Sequence, residues 1–143
     1  METQITIQSH NIRGFNNSKE FLLSQSKENP FLIQAIQEHW LPPPYKRQAG
    51  VNKLRTLHPD FEGFGVSAMK KSMENEIRRG RPFGGTGFIY PKGICESLSP
   101  LTKYNHDRLS VMELTTEFSK IIIINVYLPF LDRTNLHNVT CEY

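Results

Sequence analysis

Residues 5–36 read ITIQSHNIRGFNNSKEFLLSQSKENPFLIQAI, and they carry the most informative secondary-structure pattern of the chain. Residues 5–9 alternate apolar and polar side chains, with β-branched residues among them, which is typical of a strand. Residues 31–36 form an apolar run between turn signals, as in a strand buried on both faces. Between them, Asn17 opens a capping-box pattern that predicts a helix start, and Asn29-Pro30 predicts the helix end. The order strand, helix, strand predicts a βαβ crossover with two parallel strands.

The second half of the chain predicts further strands. Residues 84–87 (GGTG) form a flexible turn into a strand at residues 88–90. Residues 108–118 and 121–127 predict a β-hairpin that turns at Ser119-Lys120. The apolar stretch from Ile121 to Val126 is interpreted as a core strand and not as an interaction site. Residues 40–83 show no clear periodicity, and residues 132–143 favour a helix start.

Composition sets limits on the class of protein. The 143 residues have a net charge of +3 and a hydrophobic share of 38%, which fits one modest domain. A slightly basic surface tolerates a polyanionic partner without requiring one. Two widely separated cysteines predict neither a disulfide framework nor a zinc site, and they favour a reduced, intracellular setting. We find no signal-peptide pattern and no apolar run long enough to cross a membrane.

Polar residues follow both strands of the predicted parallel pair. Asn11 comes after the first strand and Glu38 after the second. Because the carboxyl ends of neighbouring parallel strands lie at one edge of a sheet, both side chains are expected at the same crevice. Mg²⁺ takes only one or two protein carboxylates and fills its other positions with water and substrate oxygens. A single Glu can therefore hold Mg²⁺, although many such residues only solvate a strand end.

Five short motifs resemble those of the endonuclease/exonuclease/phosphatase superfamily, in the family's order. Residues 9–15 (SHNIRGF) are similar to its S-x-N-x-R-G opening, and residues 36–41 (IQEHWL) to its Q-E element. Residues 85–88 (GTGF), 106–111 (HDRLSV) and 125–129 (NVYLP) are similar to its glycine-rich strand, its D-R strand and its N-x-Y-x-P signature. The sequence QEHWL at residues 37–41 most resembles the endonuclease domains of LINE-type (non-long-terminal-repeat) retrotransposons.

The resemblance implies a fold and a set of roles. The fold would be a four-layer α/β sandwich with a phosphodiester site at one edge of its paired sheets. Glu38 would bind Mg²⁺, with Mn²⁺ as the alternative, and Asn11 would support the metal or the phosphate. The Tyr127 hydroxyl would contact the phosphate, and Arg108 would support the site. Asn125 is expected to secure backbone geometry, and His39 to take a surface or supporting role.

Later elements of the superfamily are missing from these residues. No G-D-[FL]-N string and no S-D-H string occurs, so a second Asp and Asn and a His–Asp pair are absent. We therefore expect residues 1–143 to form a single partial domain, truncated before its C-terminal catalytic elements and inactive or weak alone. Its partners would be DNA and the missing C-terminal half, with no membrane. The resemblance places the protein in the nucleus or cytoplasm, and its oligomeric state stays open.

Three functional interpretations remain. The first is a Mg²⁺-dependent endonuclease fragment whose parent nicks DNA to prime reverse transcription. The second is a phosphatase or phosphodiesterase of the same superfamily that acts on inositol phosphates or lipids. The third is a catalytically dead nucleic-acid-binding module or decayed transposon remnant, which would hold nucleic acid through the basic stretch from Lys70 to Arg81.

Overall fold

The computed structural model describes residues 4–70 and 81–128, together with the backbone of residues 73–74 and 77–78. Within these ranges, one α-helix, α1, spans Phe15–Glu28. The strands, numbered in chain order, are β1 (Thr6–Asn11), β2 (Leu32–Gln37), β3 (Phe61–Val66), β4 (Met73–Glu74), β5 (Ile77–Arg78), β6 (Thr86–Pro91), β7 (Leu98–Pro100), β8 (Leu109–Thr115) and β9 (Lys120–Val126). Short 3₁₀ helices cover Gly50–Leu54, Lys92–Ser97 and Thr102–Tyr104.

The predicted βαβ opening is confirmed. β1 and β2 pair in parallel, and the register ends with Asn11 opposite Gln37. The helix between them ends before Asn29, as predicted. Its predicted start at Asn17 is wrong, because α1 begins at Phe15 with Gly14 as its N-cap. Phe15 is 2% exposed, and burial of this ring outweighs the local capping signal at Asn17.

The first sheet has the order β1-β2-β6-β3, and β6 runs antiparallel to both of its neighbours. The glycine-rich turn therefore leads into a strand, as predicted. The sequence did not reveal β3, because its Gly63 and Gly65 have low strand propensity. A Cβ at Gly63 would lie 2.6 Å from the Leu54 carbonyl oxygen, and one at Gly65 would lie 2.6 Å from the Leu54 side chain. These glycines let the Gly50–Leu54 turn lie directly on the sheet.

The second sheet has the order β7-β8-β9, and β8 and β9 form the predicted antiparallel hairpin. The turn lies at residues 116–119, earlier than predicted, and is closed by the Thr116 N–H donating to the Ser119 carbonyl at 2.8 Å. The prediction that residues 121–126 form a core strand is confirmed for one face only, on which Ile123 packs against the apolar cluster between the sheets. Ile121, Ile122, Ile124 and Val126 are all about half exposed, and only Asn125 of this strand is buried.

Two apolar clusters hold the layers together and confirm the predicted α/β architecture with two packed sheets. One cluster joins α1 and the Gly50–Leu54 turn to one face of the first sheet. The other fills the space between the two sheets, and its buried members are Ile33, Ala35, Phe88, Tyr90, Leu98, Met112 and Leu114. The first sheet is consequently covered on both faces.

Some predictions fall outside the described residues. Most of the basic stretch lies there, as does the helix start predicted for residues 132–143. Within the described part of the chain, no helix is long and apolar enough to cross a membrane.

Candidate active site

Glu38 directly follows β2 and has a backbone conformation that is rare for a residue with a side chain. Its φ is 55°, in the left-handed region. Its N–H donates to the Gly85 carbonyl at 2.9 Å, and its own carbonyl accepts from the Gly14 N–H at 2.8 Å. Such a conformation costs about 1–3 kcal/mol and persists where surrounding contacts enforce it, often at functional sites. The two hydrogen bonds fix Glu38 between the loops that follow β1 and precede β6.

The Glu38 carboxylate meets the hydroxyl of Tyr127. The Tyr127 O–H donates to Glu38 Oε1 at 2.6 Å, and the two residues are 89 positions apart in the chain. Tyr127 follows β9, and its N–H donates to the Arg108 carbonyl at 2.9 Å, which places it at the open end of the hairpin. The hydrogen bond to Glu38 is the main cause that raises the pKa of Tyr127 above its usual value, followed by burial and by the Glu38 charge. Tyr127 is therefore a neutral hydrogen-bond donor at physiological pH.

A cavity of about 240 Å³ opens beside this pair. Residues from five separate segments line it: Glu38, Ala68, Phe83, Gly84, Asp107, Arg108 and Tyr127. Three of the residues predicted for the site, Glu38, Arg108 and Tyr127, are thus brought together. Sequence reasoning gave no role to Asp107 or Phe83. The D-R motif contains Asp107 and could have indicated it, whereas nothing in the sequence marked Phe83.

Asn11 is placed differently from the other predicted site residues. It ends β1 at the same sheet edge, opposite Gln37 in the parallel register. Its side-chain Oδ1 accepts from the Arg13 N–H at 3.3 Å, and Asn11 is not among the residues that line the cavity. The role of Asn11 as a ligand of the metal or the phosphate stays a prediction.

Asn125 links the two sheets directly behind Glu38. Its amide nitrogen donates to the carbonyls of Ile36 (2.9 Å) and Gly87 (2.8 Å), which belong to adjacent strands of the first sheet. Its Oδ1 accepts from Gln37 Nε2 at 2.7 Å. Asn125 is 3% exposed, so these bonds are shielded from water. This geometry agrees with the expectation that Asn125 secures the backbone, and it fixes the end of β9 that leads to Tyr127.

His39 is buried, which excludes the surface role and leaves the supporting role of the two that were expected. It is 1% exposed, its Nε2 lies 2.9 Å from the Val66 carbonyl, and its Nδ1 accepts from the Leu41 N–H at 2.9 Å. These partners fit a neutral ring that carries its proton on Nε2. Burial lowers the pKa of His39 to about 4. The prediction assumed strand alternation, but β2 ends at Gln37 and the chain turns at Glu38.

The same ring explains part of the glycine-rich turn. Gly85 has a φ of 91°, and a Cβ at this position would lie 2.2 Å from His39 Cε1. Only glycine gives both the conformation and the space. Because the Gly85 carbonyl also accepts from the Glu38 N–H, the close approach of Gly85 to His39 sets the position of Glu38.

The cavity contains two carboxylates, one guanidinium and one phenol. Within the described ranges, no three His, Cys, Asp or Glu side chains cluster as a metal site. Mg²⁺ does not need such a cluster, since it binds through one or two carboxylates and retains several waters. Glu38 and Asp107 therefore fit a Mg²⁺ ion that keeps several water ligands better than a structural zinc ion, which needs four protein ligands.

Comparisons with known proteins gave matches among solved structures. No family model matches this chain, and no curated protein matches it in sequence. Among solved structures, the chain is similar to the 3′ phosphatase NExo from Neisseria, in a structure bound to a product DNA hairpin, with a TM-score of 0.45 and 13% sequence identity. The similarity covers 83% of this chain and 40% of NExo, so the chain spans less than half the length of that protein.

Proposed function

We propose that this chain is part of a metal-dependent phosphodiesterase that nicks DNA, of the type that LINE-like retrotransposons use at their target sites. The observation that carries the proposal is the Glu38–Tyr127 hydrogen bond of 2.6 Å in a cavity that Arg108 and Asp107 also line. A carboxylate, a neutral phenol and a guanidinium in one small cavity are suited to a phosphodiester, which is anionic and gains charge on its oxygens during hydrolysis.

Each side chain has a distinct task in this proposal. Arg108 would pair with a non-bridging phosphate oxygen, since its planar guanidinium matches phosphate geometry. The Tyr127 hydroxyl would orient the Glu38 carboxylate or donate to the phosphate. Glu38, together with Asp107, would hold Mg²⁺ or Mn²⁺. The bound ion would supply neutralisation of the charge that develops on the phosphate oxygens.

We propose that residues 1–143 alone are weak catalysts or inactive. The G-D-[FL]-N and S-D-H strings are absent from the sequence, and a general acid or base is commonly worth about 10²–10⁴-fold in rate. His39 does not replace the missing histidine, because its ring is buried and both of its nitrogens have partners. Adding a segment that carries these two strings should therefore raise the rate.

The test measures metal binding and DNA cleavage separately. Titration calorimetry with Mg²⁺ or Mn²⁺ should detect an ion that Glu38→Gln no longer holds. Nicking of supercoiled plasmid, however slow, should disappear in EDTA and in Glu38→Gln. Glu117→Gln is the matched control, since Glu117 is exposed in the β8–β9 turn, away from the cavity, and should behave as the unchanged protein.

Two outcomes would contradict the proposal. Metal binding that is identical in Glu38→Gln would remove Glu38 as a ligand, and nicking that persists in EDTA would remove the metal from the reaction. Cleavage of inositol phosphates or phospholipids with no plasmid nicking would instead favour a phosphatase or phosphodiesterase that acts on those substrates.

A further inference from the structure

Phe83 is an exposed aromatic residue in the wall of the Glu38 cavity. Its side chain is 46% exposed, and it lines the cavity together with Glu38, Arg108 and Tyr127. Aromatic side chains of this size normally bury most of their surface. A large apolar ring beside charged groups is therefore a candidate contact for a ligand that has both an anionic and an apolar part.

Backbone contacts fix Phe83 relative to Glu38. The next residue, Gly84, accepts from the Trp40 N–H at 3.0 Å, and Gly85 accepts from the Glu38 N–H at 2.9 Å. Gly84 has a φ of 61°, and a Cβ there would lie 2.7 Å from the Ala68 Cβ. The backbone directly after Phe83 is thus held against Glu38, Trp40 and Ala68. This anchoring keeps Phe83 at the wall of the cavity and reduces the loss of conformational freedom when a ligand packs against its ring.

The cavity is large enough for a phosphate group but too small to enclose the rest of a ligand. Its volume is about 240 Å³, below the roughly 300–1,000 Å³ of pockets that enclose a drug-sized molecule. A phosphate group that reaches Glu38 and Arg108 would leave the group attached to it at the rim. Phe83 offers that attached group a flat, apolar surface. A nucleobase has a matching flat face, whereas an inositol ring presents hydroxyl groups.

We infer that Phe83 stacks on the nucleobase next to the phosphodiester bound at Glu38. The inference rests on the proposed function and narrows its substrate to a polynucleotide with a base accessible beside the bound phosphate. Stacking on an aromatic side chain requires one face of that base to be free of its neighbour. Single-stranded or locally opened DNA therefore binds in preference to a closed duplex.

The test compares two labelled single strands of about 10 nucleotides. One carries all its bases, and the other has abasic residues at its centre, so that both have the same number of phosphates. Affinities are measured by fluorescence anisotropy directly after mixing with Mg²⁺ present, because the proposed function binds the phosphate through the metal and residues 1–143 are expected to cleave slowly or not at all. The unchanged chain should prefer the strand with bases by roughly tenfold. Phe83→Ala and Phe83→Leu should lose that preference, and Phe83→Tyr should keep it.

The variants separate stacking from a structural role. Leu retains apolar bulk but has no aromatic face, so a purely structural Phe83 would give wild-type behaviour in Phe83→Leu and overturn the inference. Phe118→Ala is the control, because Phe118 is 94% exposed in the β8–β9 turn and lies outside the cavity. Equal affinity of the unchanged chain for both strands would contradict base stacking by Phe83 and would leave the proposed function standing. Binding to neither strand would overturn the proposed function as well.

Discussion

The strands β2 and β9 are both rich in apolar residues, but the fold covers both faces of β2 and only one face of β9. β2 reads LIQAIQ and β9 reads KIIIINV, so β9 is the more apolar of the two. All six residues of β2 are buried, whereas in β9 only Asn125 is. Ile36 in β2 is 0% exposed and Ile124 in β9 is 59% exposed. Apolar composition predicted both strands correctly, but it did not predict which one the fold covers.

The neighbours of each strand account for the difference. β2 pairs with β1 on one side and with β6 on the other, and an apolar cluster covers each of its faces. β9 pairs with β8 at one edge of its sheet. The outer face of that hairpin borders a groove of about 570 Å³, whose lining includes Val111, Ile122 and Ile124. Burial is thus a property of position in the assembled sheets, which a local pattern does not contain.

The largest expected effect is truncation of a β2 side chain. Ile36→Ala removes apolar atoms from a closed cluster and leaves a cavity, so it should lower the free energy of unfolding by about 2–5 kcal/mol. Urea denaturation followed by circular dichroism measures this change. A loss below about 1 kcal/mol would mean that β2 is not packed as the structure has it.

The next effect concerns His39, directly after the covered end of β2. Its folded pKa is about 4, against an ordinary value of 6.5, so the folded state favours the neutral ring. The contribution of the neutral His39 ring to the free energy of unfolding is fully present above pH 6.5. It decreases as the pH falls to about 4 and changes no further below that pH. The loss should reach about 3 kcal/mol.

The measurement is the free energy of unfolding between pH 7 and pH 4 for the unchanged chain and for His39→Gln. The difference between the two curves isolates His39 from the carboxylates that titrate in the same range. His10→Gln is the control, since burial lowers the pKa of His10 while its ring is far less enclosed. Parallel curves for the unchanged chain and His39→Gln would contradict the buried, neutral ring.

Asn125 is the one β9 residue that resembles β2 in its surroundings. Asn125→Ala leaves the Ile36 and Gly87 carbonyls without their amide donor in a buried place, and removes one acceptor from Gln37. We expect a loss of about 2 kcal/mol. Ser110→Ala is the control, because Ser110 lies opposite Asn125 in the register and its buried hydroxyl has no hydrogen-bond partner in the described part of the chain.

The sequence predicted three of the residues that line the cavity, but it did not predict the loop side chains beside them or the burial of His39. Glu38, Arg108 and Tyr127 line one cavity, as the Q-E, D-R and N-x-Y-x-P motifs implied. Asn11, which the strand-end argument placed at the same crevice as Glu38, does not line it. Phe83 was not predicted, because only the folded loops bring it to that cavity, and Asp107 was given no role although the D-R motif contains it. His39 was misplaced because the left-handed turn at Glu38 breaks the alternation on which the prediction depended. Local patterns predict strands, and tertiary contacts decide where loop side chains lie.

The smallest expected effect is the counterpart of Ile36→Ala on β9. Ile124→Ala should lower the free energy of unfolding by less than about 1 kcal/mol, since the exposed Ile124 loses some strand propensity but leaves no cavity. The same urea experiment measures it beside Ile36→Ala. A loss as large as that of Ile36→Ala would mean that something covers β9 in solution. Measuring the loss at several protein concentrations would then decide between a second copy of the chain, for which the loss changes with concentration, and a segment of the same chain, for which it does not.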